Sequence, residues 1–233
     1  MFQLPPLLPL TRRLLVVLFG AFVAELVLQN WVGVPVFAWL SLQTGGLGLP
    51  TLWQLLTYPL VWPPGPGSVL PFLVNLLFLW WILSPYEAMA GARETAWLGL
   101  LASGGGGLAG ALAGLLFGQA TRLSGTGPLL LGVIAAYAWR LRGRGTLSFF
   151  GVLPMRPEQL VWVVLGLSVL FFLASGSWVD LVADLAAVGI GVGFVHFGWR
   201  PPGSPRRRRS GKGPRLVGLP GGRSGSGDRR WVH

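Results

Sequence analysis

Cysteine is absent from the 233-residue chain, and histidine occurs only at His196 and His233. No disulfide, thiolate nucleophile or Cys-ligated metal site can form, and imidazole chemistry has little to draw on. No metal centre and no cofactor are therefore expected. Charge is scarce as well: Asp, Glu, Lys and Arg make up 11% of the residues, against about a quarter in a soluble domain. The charge present is mostly of one sign, with 18 basic against 7 acidic side chains and a net charge of +11. Apolar residues are abundant. A hydrophobic fraction of 52% and a mean hydropathy of +0.63 place the chain in the membrane class, although its length would also suit one or two soluble domains.

A helix crossing about 30 Å of hydrocarbon needs about 20 mostly apolar residues. Runs of that kind occur at 14–32, 69–84, 96–117, 126–139, 160–174 and 179–197. The first follows Thr11-Arg12-Arg13, ends without a small-x-small cleavage site and is followed by further spans, so it reads as a retained span rather than a signal peptide. The fold expected is all-α: a polytopic six-helix membrane bundle over 1–200, with an interfacial loop between the first two spans. The fourth run is short for a crossing, which hydrocarbon tolerates only if its ends sit inside protein or a wet cavity. Arg12, Arg13, Arg93, Arg140, Arg142, Arg144, Arg156 and Arg200 fall on one side of this arrangement and Arg122 alone on the other. Basic loops stay cytoplasmic, so both termini are expected in the cytoplasm of a chain embedded in the cell's inner membrane. Trp139, Trp162 and Trp199 then fall near the cytoplasmic interface, and Trp31 and Trp178 near the outer one.

The segment 33–68 carries no charged residue yet holds Trp39, Trp53, Trp62, Phe37 and Tyr58. Such a composition suits an interfacial structure half-buried in the outer leaflet, with a short helix at Trp53-Gln54-Leu55-Leu56-Thr57-Tyr58 and a turn at Pro63-Pro64-Gly65-Pro66-Gly67. From 201 to 233 the chain becomes a Gly-, Ser-, Pro- and Arg-rich tail that cannot form a core. Its Arg206, Arg207, Arg208 and Arg209 are expected to adhere to anionic lipid headgroups. Without interleaved aromatics or a folded module, nucleic acid is not an expected partner.

Within the third run, Gly106, Gly110, Gly114 and Gly118 recur at i, i+4 and share one helix face. The last run repeats the device with Ala183, Ala187 and Gly191, with Gly189 and Gly193 alongside. Rows of small residues let helix backbones approach closely, and tight packing within one bundle is the expected use. Polar residues inside spans are costly enough to be functional candidates. At about 1.5 Å per residue, Asp184 lies about 8 Å, Asn75 about 9 Å and Glu25 about 12 Å from the outer ends of their runs. The fourth run opens at the same side with Ser124-Gly125-Thr126-Gly127-Pro128, a break through which water or a ligand could reach that depth.

Taken together, these features resemble the six-span rhomboid family of intramembrane serine proteases. The family's outer-loop helix, similar to Trp-Arg/Gln-Leu-Leu-Thr-Tyr, has its counterpart from Trp53 to Tyr58. The family's His-x-x-x-Asn of the second span corresponds to Pro71-Phe72-Leu73-Val74-Asn75, and its closing Glu to Glu87. The Gly-x-Ser-Gly that opens the fourth span corresponds to Gly125-Thr126-Gly127-Pro128, with Gly132 five residues on. The Ala-His of the last span corresponds to Ala183-Asp184. The resemblance thus puts Gly127 at the nucleophile, Asp184 at the general base and Pro71 at the oxyanion-region histidine, and keeps only Asn75. A covalent mechanism needs an activated hydroxyl within reach of a base, so no catalytic residue is assigned. His196, about 18 Å along the helix from Asp184, cannot replace the base.

By resemblance, inactive members bind transmembrane segments of client proteins without cleaving them. The expected contacts are Asn75, Asp184, Glu25 and Ser124, with the bilayer and a membrane client as partners. Two alternatives stay open: an active protease using Ser124 with a partner such as Asp184, and a small transporter or proton path through Glu25 and Asp184. The lack of an internal repeat among the spans counts against the transporter.

Overall fold

The computed structural model describes residues 5–198 except 47, 49–51, 144–146, 150–152 and 156. The expectations for the tail, for Arg206 to Arg209 and for Trp199 fall outside the described residues.

Each of the six apolar runs is a helix. Helix α1 (Pro9–Val27) ends in a π turn at Leu28–Val32, and three short elements follow it: α2 (Val36–Leu40), β1 (Leu42–Gln43) and α3 (Gln54–Thr57). The long helices α4 (Val69–Ala90) and α5 (Ala92–Leu116) come next. Then β2 (Arg122–Leu123) leads into α6 (Gly127–Arg140). A hairpin of β3 (Leu147–Phe149) and β4 (Leu153–Met155), antiparallel with Ser148 opposite Pro154, precedes α7 (Pro157–Ser175) and α8 (Trp178–His196). Among the described residues, the helical stretches Pro9–Val32, Pro66–Ala90, Ala92–Leu116 and Trp178–His196 are long and apolar enough to cross a membrane; Gln159–Ser175 is apolar but shorter. With 14 residues, α6 is about 21 Å long. It is accommodated because eight of its residues, from Pro128 to Ala138, are buried.

Several helices run past the ends that hydropathy suggests. Helix α1 starts before Arg12 and Arg13, because its first-turn N–H groups have a carboxylate to bind. Glu87 Oε1 accepts from the Leu10 N–H at 3.0 Å, and Oε2 accepts from the Thr11 N–H at 2.8 Å and its hydroxyl at 2.7 Å. A buried acid thus caps α1 from another helix, where the orphan donors and the positive dipole end favour an anion. Reaching that point requires α4 to continue beyond 84 and through Pro85 to Ala90. A single residue, Gly91, with φ +86, then turns the chain into α5. At the same end of the bundle Arg140 pairs with Glu94 at 2.6 Å.

The centre of the bundle is α5, α6 and α8, and their contacts are backbone on backbone. A Cβ at Gly106 would lie 2.9 Å from the Ala183 carbonyl and 2.9 Å from Pro128 Cβ; at Gly110 it would lie 3.0 Å from Ala183 Cβ. A Cβ at Gly191 would overlap the Gly132 carbonyl, and one at Gly132 would overlap Ala102. Gly114, on the same row, packs instead against Thr44 and the Gln119 carbonyl, at 2.7 and 2.9 Å.

Gly118 is not part of this packing, contrary to expectation. Helix α5 ends at Leu116, and Gly118 has φ +65 with nothing within 4 Å of a Cβ, so it is the left-handed residue that lets the chain leave the helix. Gly189 also has nothing within 4 Å; the second small-residue row of α8 is therefore not a seam. Lipid chains offer little hydrophobic gain for helix association, so close contact through small residues does most of the work. Replacing Gly106 or Gly110 by Leu should lower stability by about 1–3 kcal/mol. Gly104→Leu, where a Cβ meets nothing within 4 Å, should leave it unchanged, as thermal unfolding in detergent would show.

Candidate functional site

The segment between α1 and α4 is folded onto the bundle rather than loose. Gln54, buried at the start of α3, accepts from the Gln43 N–H at 3.1 Å and donates to the Trp39 carbonyl at 3.1 Å. Tyr58 follows on a 3-10 turn, is fully buried, and donates to the Ser103 carbonyl of α5 at 2.7 Å. Burial pushes the Tyr58 phenol up to about 12, so it stays a donor at any physiological pH. The aromatic side chains that do not pack inward, Trp31, Trp39 and Trp53, are exposed, as suits rings lying against a membrane interface.

This segment also positions the entry to α6. The Gly125 N–H bonds the carbonyls of Tyr58 and Val61 at 3.0 and 2.9 Å. Gly125 has φ +82 and lies against the Trp62 ring, so a side chain there would be strained. Leu42 pairs with Leu123, and Gln43 with Arg122, in the small β1–β2 ladder. Arg122, the one basic residue expected on this side, donates to the Ala38 carbonyl at 2.6 Å and to the Ser41 hydroxyl at 3.3 Å.

Helix α6 opens where four elements meet. Thr126, its N-cap residue, is buried, and its hydroxyl donates to Asn75 Oδ1 of α4 in a very short hydrogen bond. The next residue, Gly127, faces α8: a Cβ built there would stand 3.8 Å from Asp184 Oδ1 and meet nothing else within 4 Å. Ser168, buried on α7, hydrogen-bonds the Asp184 side chain. Asn75, Gly127 and Asp184 thus meet around the start of α6, and each is partly buried.

The remaining candidates are placed elsewhere or differently. Glu25 is buried and accepts from the Trp62 N–H at 3.0 Å, so one carboxylate oxygen ties α1 to the interfacial segment. Ser124 is half-buried in the turn between β2 and α6. Pro71 is exposed on the first turn of α4, one turn before Asn75. His196 is exposed at the far end of α8, edge-on to Trp139 with ring centroids 6.0 Å apart. Two polar partners were not assigned from sequence. Thr126 could have been found from Pro128 just inside the helix start, which marks the preceding residues as capping positions. Ser168 has no such signal.

Apolar helices of spanning length around a short central helix, with a polar cluster at its buried start, define a polytopic integral membrane protein. The Rhomboid domain profile matches residues 49–200, and the chain belongs to the rhomboid family. Comparison with curated proteins gives no match.

The Thr126–Asn75 bond joins α4 to α6 inside the membrane, where such bonds contribute about 0.6–1.7 kcal/mol. Thr126→Val and Asn75→Leu should each lower unfolding stability by about that amount. A double-mutant cycle in detergent should give a coupling of similar size, whereas independent effects would place the two side chains out of contact.

Proposed function

We propose that the chain is a rhomboid-like pseudoprotease that holds transmembrane segments of client proteins without cleaving them. The observation that carries this reading is Gly127. The residue that faces Asp184 across the start of α6 has no hydroxyl, and the hydroxyl next to it, on Thr126, is engaged by Asn75. An acyl-enzyme requires a nucleophilic oxygen, a base that can take its proton and a donor pair for the oxyanion. Gly127 supplies no nucleophilic oxygen and Pro71 no side-chain donor for the oxyanion, so the Asp184 carboxyl has no hydroxyl to deprotonate in the arrangement that the family resemblance implies.

The same groups suit binding. Asn75 keeps its amide N–H₂ as a donor, and Asp184 offers carboxyl oxygens beside Ser168. A client helix that is locally unwound presents unpaired N–H and C=O groups, which hydrocarbon cannot satisfy and such side chains can. Ser124, two residues before Thr126, is kept as a further candidate contact. Glu25 fits the reading less directly, because it is bonded to Trp62.

The expected topology is both termini in the cytoplasm of an inner membrane, with the tail arginines Arg206 to Arg209 against anionic headgroups. A reporter active only outside the membrane, fused at the end of α8, should stay silent; an active one overturns this orientation.

The functional test is labelling of native membranes with a fluorophosphonate, together with digestion of a model transmembrane substrate. Neither labelling nor cleavage is expected. Labelling that disappears in Ser124→Ala would establish the active protease instead. Gly127 has room for a serine side chain, so the doubly substituted Gly127→Ser, Asp184→His chain should gain labelling that the native chain lacks. Co-purification of a membrane client should be lost in Asp184→Leu while the chain remains folded; retention of the same clients would remove Asp184 from the contact surface.

A further inference from the structure

A groove of about 320 Å³ runs between α1 and α5. Leu10, Leu14 and Leu18 form one wall and Gly99, Leu100 and Gly104 the other. Leu60 of the interfacial segment is also in the lining, whereas Asn75, Thr126, Gly127 and Asp184 are not.

The lining of the groove suits hydrocarbon: it is mostly leucine, with glycine, alanine and proline, and only Thr95 and Ser103 are polar. From Leu10 to Leu18 it extends about 12 Å, so an acyl chain can lie along it.

Charge selects the headgroup. Helices α1 and α5 both begin at the basic end of the bundle, joined there by Glu87 and the Gly91 turn. Arg13 is exposed, next to Leu14 and three residues from Leu10; Arg93 is exposed, three residues before Ala96, which also lines the groove. Helical residues three apart share a face, and side chains lean toward the helix N-terminus. Arg13 and Arg93 thus stand near the starts of the two helices that wall the groove, one on each. Arginine forks match phosphate oxygens, and basic pockets between spanning helices suit anionic lipid headgroups.

We propose that this groove is a binding site for one anionic phospholipid, an acyl chain lying between α1 and α5 and the phosphate held between Arg13 and Arg93. The proposal does not rest on the pseudoprotease reading, since it uses none of the residues of the polar site.

The test is native mass spectrometry of the full chain in mild detergent, with dioleoyl-phosphatidylglycerol or dioleoyl-phosphatidylcholine added in turn. The native chain should retain phosphatidylglycerol at least fivefold better than phosphatidylcholine. Gly104→Phe, where a Cβ meets nothing within 4 Å, should fill the groove and reduce bound phosphatidylglycerol by one molecule per chain without lowering thermal stability. Ala96→Phe is a second plug from the same wall, used if the first variant does not fold. Lipid held by the basic tail is untouched by either plug and is subtracted by this comparison. The Arg13→Gln, Arg93→Gln chain should bind the two lipids equally. Equal retention of both lipids by the native chain, failure to bind either, or unchanged retention in the plugged variants would each overturn the proposal.

Discussion

The structure depends on letting polypeptide backbones touch inside hydrocarbon. In water, helices associate because burying apolar side chains is favourable; between lipid chains that gain nearly vanishes, and contact must come from dispersion and from close polar approach. The chain meets this constraint with glycine and alanine at the points where α5, α6 and α8 cross. Gly106 and Gly110 sit against Ala183, and Gly132 sits against both Ala102 and Gly191. A methyl group at most of these positions would already force the helices apart.

Everything at the polar site follows from that approach. Helix α6 is too short to cross a bilayer alone, and its free N–H groups would be costly in hydrocarbon. Held between α5 and α8, it can start well below the surface, where Thr126, Asn75 and Asp184 share a level. The interfacial segment completes the enclosure: the Gly125 N–H is satisfied by backbone carbonyls of Tyr58 and Val61, and Tyr58 is anchored to α5. Glu25 and Gln54, which look like polar outliers in apolar sequence, are the fasteners of this enclosure.

Much of this was legible in the sequence, for physical reasons that also mark where reading stops. Hydropathy reports the part of a helix that lies in hydrocarbon, so six runs were found but not the first turns of α1 and α5 or the last turn of α4, which extend into charged surroundings. Spacing of glycines identifies a face without saying what it meets; Gly106 and Gly114 share a row but have different neighbours, and Gly118 lies past the helix end. The short β1–β2 ladder leaves no periodic trace in either strand. The pairing of Asn75 with Thr126 joins residues 51 apart in sequence, and only the folded bundle brings them together.

The separation between scaffold and chemistry is the remaining point. Residues that set the fold are tightly constrained: a side chain at Gly106, Gly132 or Gly191 meets backbone or a neighbouring Cβ, and Glu87 is the only capping group for the first turn of α1 among the described residues. Gly127 is not constrained in that way. A Cβ there has only Asp184 Oδ1 nearby, at 3.8 Å, so packing does not demand glycine at this position. Steric necessity therefore explains the glycines of the helix crossings and leaves Gly127 unexplained by the fold. What glycine leaves at 127 is a position without a hydroxyl where α6 faces Asp184, and the proposed pseudoprotease reading rests on that.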